Sequence, residues 1–124
     1  SVYSYFMPYL EAGPFQIGVQ TKKNQVNQAK DLIQKTVSDF IKNGPTPSEL
    51  KRAKDFMIGG FPLKLDSNKS ILDYVSMMAF YKYPLDYLET FTKKIDKITA
   101  EEIKSAFQRR VDMTKFSTVI VGSE

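Results

Sequence analysis

The stretch GPFQIGVQTKKNQVNQAKDLIQKTVSDFIKNG, residues 13–44, changes its hydrophobic period partway along, and this decides the fold class. Phe15, Ile17 and Val19 alternate with Gln16, Gly18 and Gln20, which predicts a strand with one apolar face running to about Thr21. After Lys22-Lys23 the apolar positions are Val26, Ala29, Ile33, Val37, Phe40 and Ile41, at the steps of three and four that belong to a helix. Asn24 is the expected cap, and Gly44-Pro45 the stop. Upstream, Val2, Ser4 and Phe6 alternate with Tyr3, Tyr5 and Met7 until Pro8, and Glu11-Ala12-Gly13-Pro14 follows. The two alternating runs read as a hairpin with a longish loop.

Downstream the pattern stays helical. Thr46-Pro47-Ser48-Glu49 places a Thr cap, a Pro at the first helical position and a Glu able to reach back to the cap's N–H. Leu50, Ala53, Met57, Ile58 and Phe61 continue one face of this helix, and Gly59-Gly60 with Pro62 predicts a break near Phe61. A third helix fits Ser70 to Lys82, with Ile71, Val75, Met78 and Ala79 inward and Pro84 ending it. A fourth carries Leu88, Phe91 and Ile95. A fifth opens on a second capping box, Thr99 and Glu102, and buries Ile103, Ala106 and Phe107. The β-branched run Phe116–Gly122 has no breaker and predicts a last strand, with Val119 and Val121 shielded between the hairpin and strands supplied from elsewhere. The order of two strands, five helices and one strand predicts an α+β two-layer sandwich, an antiparallel or mixed sheet with helices packed on one face.

The 124 residues carry 18 Lys+Arg against 14 Asp+Glu, a formal charge of +4, and suit a single domain over 1–124. With 42% hydrophobic and 26% charged residues, a packed core is expected rather than a disordered or fibrous chain. His and Cys are both absent, which closes zinc, copper and haem sites, Ser/His and Cys/His triads and disulfides to these residues alone. Carboxylates, Lys, Tyr, Ser and Thr remain as chemical groups. No apolar run approaches the ~20 residues of a membrane-spanning helix, and no basic-then-apolar leader opens the sequence. Ser1 leads directly into an apolar, tyrosine-rich strand, which suggests an excised piece of a longer protein. An absence of Cys fits cytoplasm and periplasm alike.

Lys22-Lys23, Lys51-Arg52-Lys54, Lys93-Lys94 and Arg109-Arg110 raise a nucleic-acid surface as a possibility, yet each lies near carboxylates: Asp31 and Asp39, Glu49 and Asp55, Asp96, and Asp112. Scattered clusters of this kind read as solvated helix faces, since phosphate binding needs a continuous basic stripe. The aromatic residues fall mostly on apolar periodic positions and read as packing, including Tyr81, Tyr83 and Tyr87 around Pro84. Glu101-Glu102 and the pair Asp66 and Asp73 lack the setting that acid–base catalysis needs, and Gly59-Gly60 lacks the spacing of a phosphate loop.

Taken together, GPFQIGVQTKK (13–23), TPSELKRAK (46–54), GGFPLKLDSNKSILDY (59–74), FYKYPLDYLETF (80–91), ITAEEIKSAF (98–107) and TVIVG (118–122) resemble the carboxy-terminal half of the pitrilysin/insulinase family of zinc metallopeptidases. The likeness is greatest to a bacterial zinc-protease branch. It rests on the order and spacing of all these segments and covers nearly the whole chain. The resemblance implies a parent with two homologous α+β halves closing round a peptide, the amino-terminal half carrying an H-x-x-E-H zinc motif. No position here can take those roles. The Arg and Tyr by which the family's second half grips substrate would fall before Ser1, and neither Tyr3 nor Tyr5 replaces them. The resemblance therefore implies a piece of the carboxy-terminal domain that lacks its upstream strands and has no catalytic, metal or cofactor residue of its own. Its expected role is to enclose peptide substrate, beside the parent's amino-terminal half or a homologous peptidase subunit. Zinc would sit in that amino-terminal half if the parent is active. Nucleic acid is not an expected partner, and a periplasmic or secreted parent is what the bacterial branch suggests. The competing expectation is a stand-alone module binding peptide or nucleic acid through an open sheet edge or its basic clusters.

Overall fold

The computed structural model describes residues 1–122. In chain order it contains β1 (Val2–Phe6), β2 (Phe15–Val19), α1 (Val26–Asn43), α2 (Pro47–Gly60), α3 (Asn68–Phe80), α4 (Tyr87–Lys97) and α5 (Ala100–Arg110). Short 3₁₀ turns lie at Lys23–Gln25, Pro62–Leu65 and Met113–Lys115. This is an α+β chain, as the change of period at Thr21 predicts. Two compact units divide it: residues 1–44 with those from Lys104 onward, and Pro45–Ile103.

In the first unit β1 and β2 form an antiparallel hairpin, with Tyr3 opposite Gly18 and Tyr5 opposite Gln16. The Ser1 ammonium donates to the Gln20 carbonyl at 3.1 Å, Gln20 N–H donates back to Ser1 at 3.0 Å, and Met7 N–H donates to Pro14 at 3.0 Å. Bonded pairs alternate with non-bonded ones in an antiparallel ladder. The N–H and C=O groups of Phe15, Ile17 and Val19 therefore point away from β1. On the helix side, Phe6 and Phe15 (ring centroids 4.7 Å apart) meet Phe107 of α5 edge-on at 5.5 and 5.9 Å, and Phe40 of α1 meets Phe107 at 4.7 Å. Val26, Ala29, Ile33, Val37, Phe40 and Ile41 are the partly buried stripe of α1, as the periodicity predicts. Gly44 ends the helix at φ 72°, where an L side chain is strained, and its N–H donates to the Phe40 carbonyl at 2.8 Å.

Two sequence expectations fail in this unit. Asn24 is not the cap of α1: the 3₁₀ turn takes up the first residues, and Gln25 stands at the N-cap without a side-chain bond to the helix's first N–H groups. The run 116–122 is not a strand, and Val119 and Val121 are 83% and 90% exposed rather than shielded. Its β-branched composition is real, but a strand is completed by a neighbour's hydrogen bonds, and no backbone hydrogen bond joins this run to β2 among the described residues.

In the second unit the Thr46 capping box is present in both directions. Glu49 N–H donates to Thr46 Oγ1 at 3.3 Å and Thr46 N–H to Glu49 Oε2 at 2.7 Å. Leu50, Ile58 and Phe61 face inward, whereas Ala53 and Met57 are exposed. Phe61, only 5% exposed, stacks on Phe91 of α4 at 4.4 Å and meets Tyr74 of α3 edge-on at 6.1 Å. Helix α3 begins two residues before the expected Ser70, capped by Ser67, whose Oγ accepts from Ser70 N–H at 3.1 Å. It ends at Phe80, where Tyr83 N–H donates to Met78 at 2.8 Å and Lys82 N–H to Ala79 at 3.3 Å. That paired closure puts Lys82 at φ 55°. The inward side of α3 is Tyr74, Met77 and Met78, the last 7% exposed; Ile71, Val75 and Ala79, expected inside, lie outside. In α4, Leu88, Phe91 and Ile95 are partly buried as expected. A second capping box opens α5, with Thr99 N–H donating to Glu102 Oε2 at 2.7 Å and Glu102 N–H to Thr99 Oγ1 at 3.2 Å.

Candidate functional site

The hairpin has a face turned away from Phe6 and Phe15, and it holds Tyr3, Tyr5, Gln16, Gly18 and Gln20. The Tyr3 and Tyr5 rings stack with centroids 6.1 Å apart. Tyr5 Oη donates to Gln16 Oε1 at 2.7 Å. The Tyr3 ring crosses Gly18 so closely that a Cβ there would lie 2.2 Å from Tyr3 Cζ and 2.4 Å from its Oη. The glycine is thus required by the tyrosine opposite, a close approach that a strand glycine often marks. Both tyrosines remain well exposed. No charged residue occurs in either strand. Phenol and carboxamide groups on an extended backbone can stack on and hydrogen-bond to peptide groups without selecting a charge.

The residues singled out from sequence are placed elsewhere. Lys51 pairs with Asp55 at 2.6 Å and Lys54 Nζ reaches the Asp96 carbonyl, so the α2 cluster is partly engaged. Arg109 donates to Ser105 at 2.6 Å. Asp66 and Asp73 serve different partners, Ser70 at 3.4 Å and Lys69 at 2.7 Å. Glu102 acts as a cap, and hydrogen bonds from the Thr99 N–H and hydroxyl hold its carboxyl below the usual glutamate range, with the Lys54 charge a smaller cause. Tyr81, Tyr83 and Tyr87 do come together, stacked at 5.8 and 4.8 Å, and continue at 5.9 Å to Phe91. Burial and the neighbouring Tyr83 and Tyr74 push the Tyr87 phenol above the usual tyrosine range. This ladder leads into the Phe61 core and is packing.

Among the described residues, no group of three or more His, Cys, Asp or Glu side chains is placed to hold a metal ion, and no helix is long and apolar enough to cross a membrane. With neither imidazole nor thiolate in the sequence, the residues present do not fit a zinc ion. Sequence reasoning did not find the Tyr3–Gly18 approach; the one signal for it was a glycine inside an alternating strand.

A family model described as the peptidase M16 inactive domain matches residues 1–57. The "non-peptidase homolog YmxG" of Helicobacter pylori is 27% identical over 106 residues, covering 86% of this chain and 24% of that protein. The "uncharacterized zinc protease YmxG" of Bacillus subtilis is 37% identical over 70 residues, covering 56% and 17%. A crystal structure of a peptidase M16 inactive domain from Pseudomonas fluorescens superposes with a TM-score of 0.83 at 35% identity, over 92% of this chain and 27% of that one. The chain thus spans about a quarter, or less, of the length of these relatives. A hairpin packed on helices is the α+β arrangement that this chain shares with that inactive domain. The chain is similar to a carboxy-terminal domain of the peptidase M16 (pitrilysin/insulinase) family.

Proposed function

We propose that this domain is a non-catalytic wall of a peptide-enclosing chamber, working beside a homologous amino-terminal half or a homologous peptidase subunit. The observation that carries the reading is the uncharged open face of the hairpin, where Tyr3, Tyr5 and Gln16 stand exposed, the Tyr3 ring lying across Gly18. Such a face contributes contact and water exclusion. Hydrolysis, where the parent is active, belongs to zinc in the amino-terminal half, and no step of it runs through these residues. A periplasmic or secreted parent is a further part of the proposal, taken from the family resemblance alone, and cell fractionation checks it.

The test combines the domain, within its full polypeptide or partner complex, with a fluorogenic peptide. Tyr3→Ala and Tyr5→Ala are expected to raise KM about tenfold together while leaving kcat within a factor of two, the pattern of lost uniform binding. An unchanged KM in the double variant overturns the reading. A parent without measurable hydrolysis moves the same test to peptide binding.

A further inference from the structure

A hollow of about 830 Å³ in the first unit opens where the start of β2, the last turn of α1 and the end of α5 meet the turn at 111–117. Its lining is of two kinds: the cations Arg109, Arg110 and Lys115, and the apolar Phe15, Ile41 and Phe116. The one carboxylate that lines it among the described residues, Asp112, is already engaged. It accepts from the Thr114 N–H at 3.0 Å and from the Thr114 hydroxyl at 2.7 Å, and its 3.9 Å pair with Lys115 is exposed and contributes little. Arg109 gives one N–H to Ser105 at 2.6 Å and keeps the rest of its fork, while the Arg110 side chain has no partner among the described residues. Gln16 also lines the hollow, and because its Oε1 accepts from Tyr5 at 2.7 Å, the group it has left to offer is its donating NH₂. Basic residues in the last turn of a helix ordinarily answer the helix dipole, and the carbonyl ends of α1 and α5 each bring about half a negative charge here. Those two ends and Asp112 still leave about one positive charge in excess. Lys115 belongs to neither helix, and the dipole does not account for the apolar part of the lining.

We infer that this hollow, where Arg109, Arg110 and Lys115 meet Phe15, Ile41 and Phe116, binds the terminal carboxylate of a peptide whose last residue is apolar. A guanidinium fork matches the two oxygens of a carboxylate, and Lys115 adds charge to the pair of forks. In the last residue of a peptide the carboxylate and the side chain hang from one carbon, so charge and apolar surface arrive together, as the lining requires. A glutamate inside a chain brings the same carboxylate at the end of its own stem, with no apolar group fixed beside it. A bare phosphate leaves the apolar lining wet and fills little of a space this large, which is in the size range of organic ligands. The inference does not rest on the chamber reading: Tyr3 and Tyr5 do not line the hollow, and a domain that encloses no substrate holds a peptide end here equally well.

Fluorescence anisotropy tests it, with the full polypeptide that contains these residues and a labelled peptide of three alanines and a final leucine. The free acid is expected to bind at least about tenfold more tightly than the same peptide amidated, the worth of a hydrogen bond to a charged group. Arg109→Gln combined with Arg110→Gln should abolish that ratio by weakening the acid alone. Arg110→Gln by itself, at a side chain with no partner to lose, should lower the ratio at least about threefold and keeps the test valid if the loss of Arg109 disturbs α5. Lys93→Gln combined with Lys94→Gln removes the same charge from the other unit and should keep the ratio. No binding of the acid, or equal binding of acid and amide, overturns the inference. So does a ratio that survives both arginine variants, or one that vanishes in the lysine variant, which would mean attraction by overall charge. An amidated peptide with glutamate in place of leucine should bind at least about tenfold more weakly than the acid. Equal binding of that peptide assigns the hollow to acidic side chains, and displacement of the acid by equimolar inorganic phosphate assigns it to bare anions; either result overturns the inference.

Discussion

Tyr3 and Gly18 fix each other. The ring lies where a Cβ would be, 2.2 Å away at its nearest atom, so Gly18→Ala forces the ring to swing out or the strands to part. The substitution should cost about 1–3 kcal/mol in denaturant melts, and much of that loss should disappear when Tyr3→Ala is combined with it. Equal cost in the presence and absence of the ring would show that the glycine serves the backbone alone. Lys82 presents the opposite case. It holds φ 55° to complete the hydrogen-bonded end of α3, a conformation that suits glycine better than lysine. Lys82→Gly should therefore stabilise the protein by about 0.5–1 kcal/mol, visible as a raised midpoint at unchanged slope. A lowered midpoint would mean that the lysine side chain contributes more than its backbone strain costs.

At the scale of elements, α2 and α5 start in the same way, and both starts depend on an ionised glutamate. Hydrogen bonds from Thr46 and Thr99, backbone first and hydroxyl second, hold the Glu49 and Glu102 carboxyls below their ordinary value of 4.5. The unfolded chain therefore binds these protons more tightly than the folded one. The contribution of the two caps is complete above that ordinary value and is lost as pH falls below it towards the lowered folded values. Thr46→Ala should cost about 1 kcal/mol at pH 7. Glu49→Gln should flatten the fall of Tm between pH 5 and pH 3; an unaltered slope of Tm with pH would remove the carboxylate from the cap. Both capping boxes were legible in the sequence because their partners lie three residues apart and need nothing else. The stripe of α1 was legible for a related reason, since its opposite face is plainly polar. The inward face of helix α3 was misread apart from Met78 because apolar residues surround it: Ile71, Leu72, Val75, Met77, Met78 and Phe80 offer more than one inward face, and only Phe61 in place decides for Tyr74. The run 116–122 was misread as a finished strand because composition reports the capacity to pair and says nothing of a partner's presence.

For the molecule as a whole, the second unit is one uninterrupted stretch, residues 45–103, whereas the first is assembled from both ends of the chain. Phe6 and Phe15 are near the start of the sequence, yet their aromatic partner Phe107 lies more than ninety residues later. On a ribosome adding 5–20 residues per second, the hairpin waits roughly 5–20 s for that ring, while the helical stretch has all of its own partners as soon as it emerges. Within residues 1–124 the hairpin is thus made before the ring that covers it. Through that interval the nascent chain carries two apolar strands with open edges, and they are where a chaperone has reason to bind and where a stalled chain would begin to aggregate.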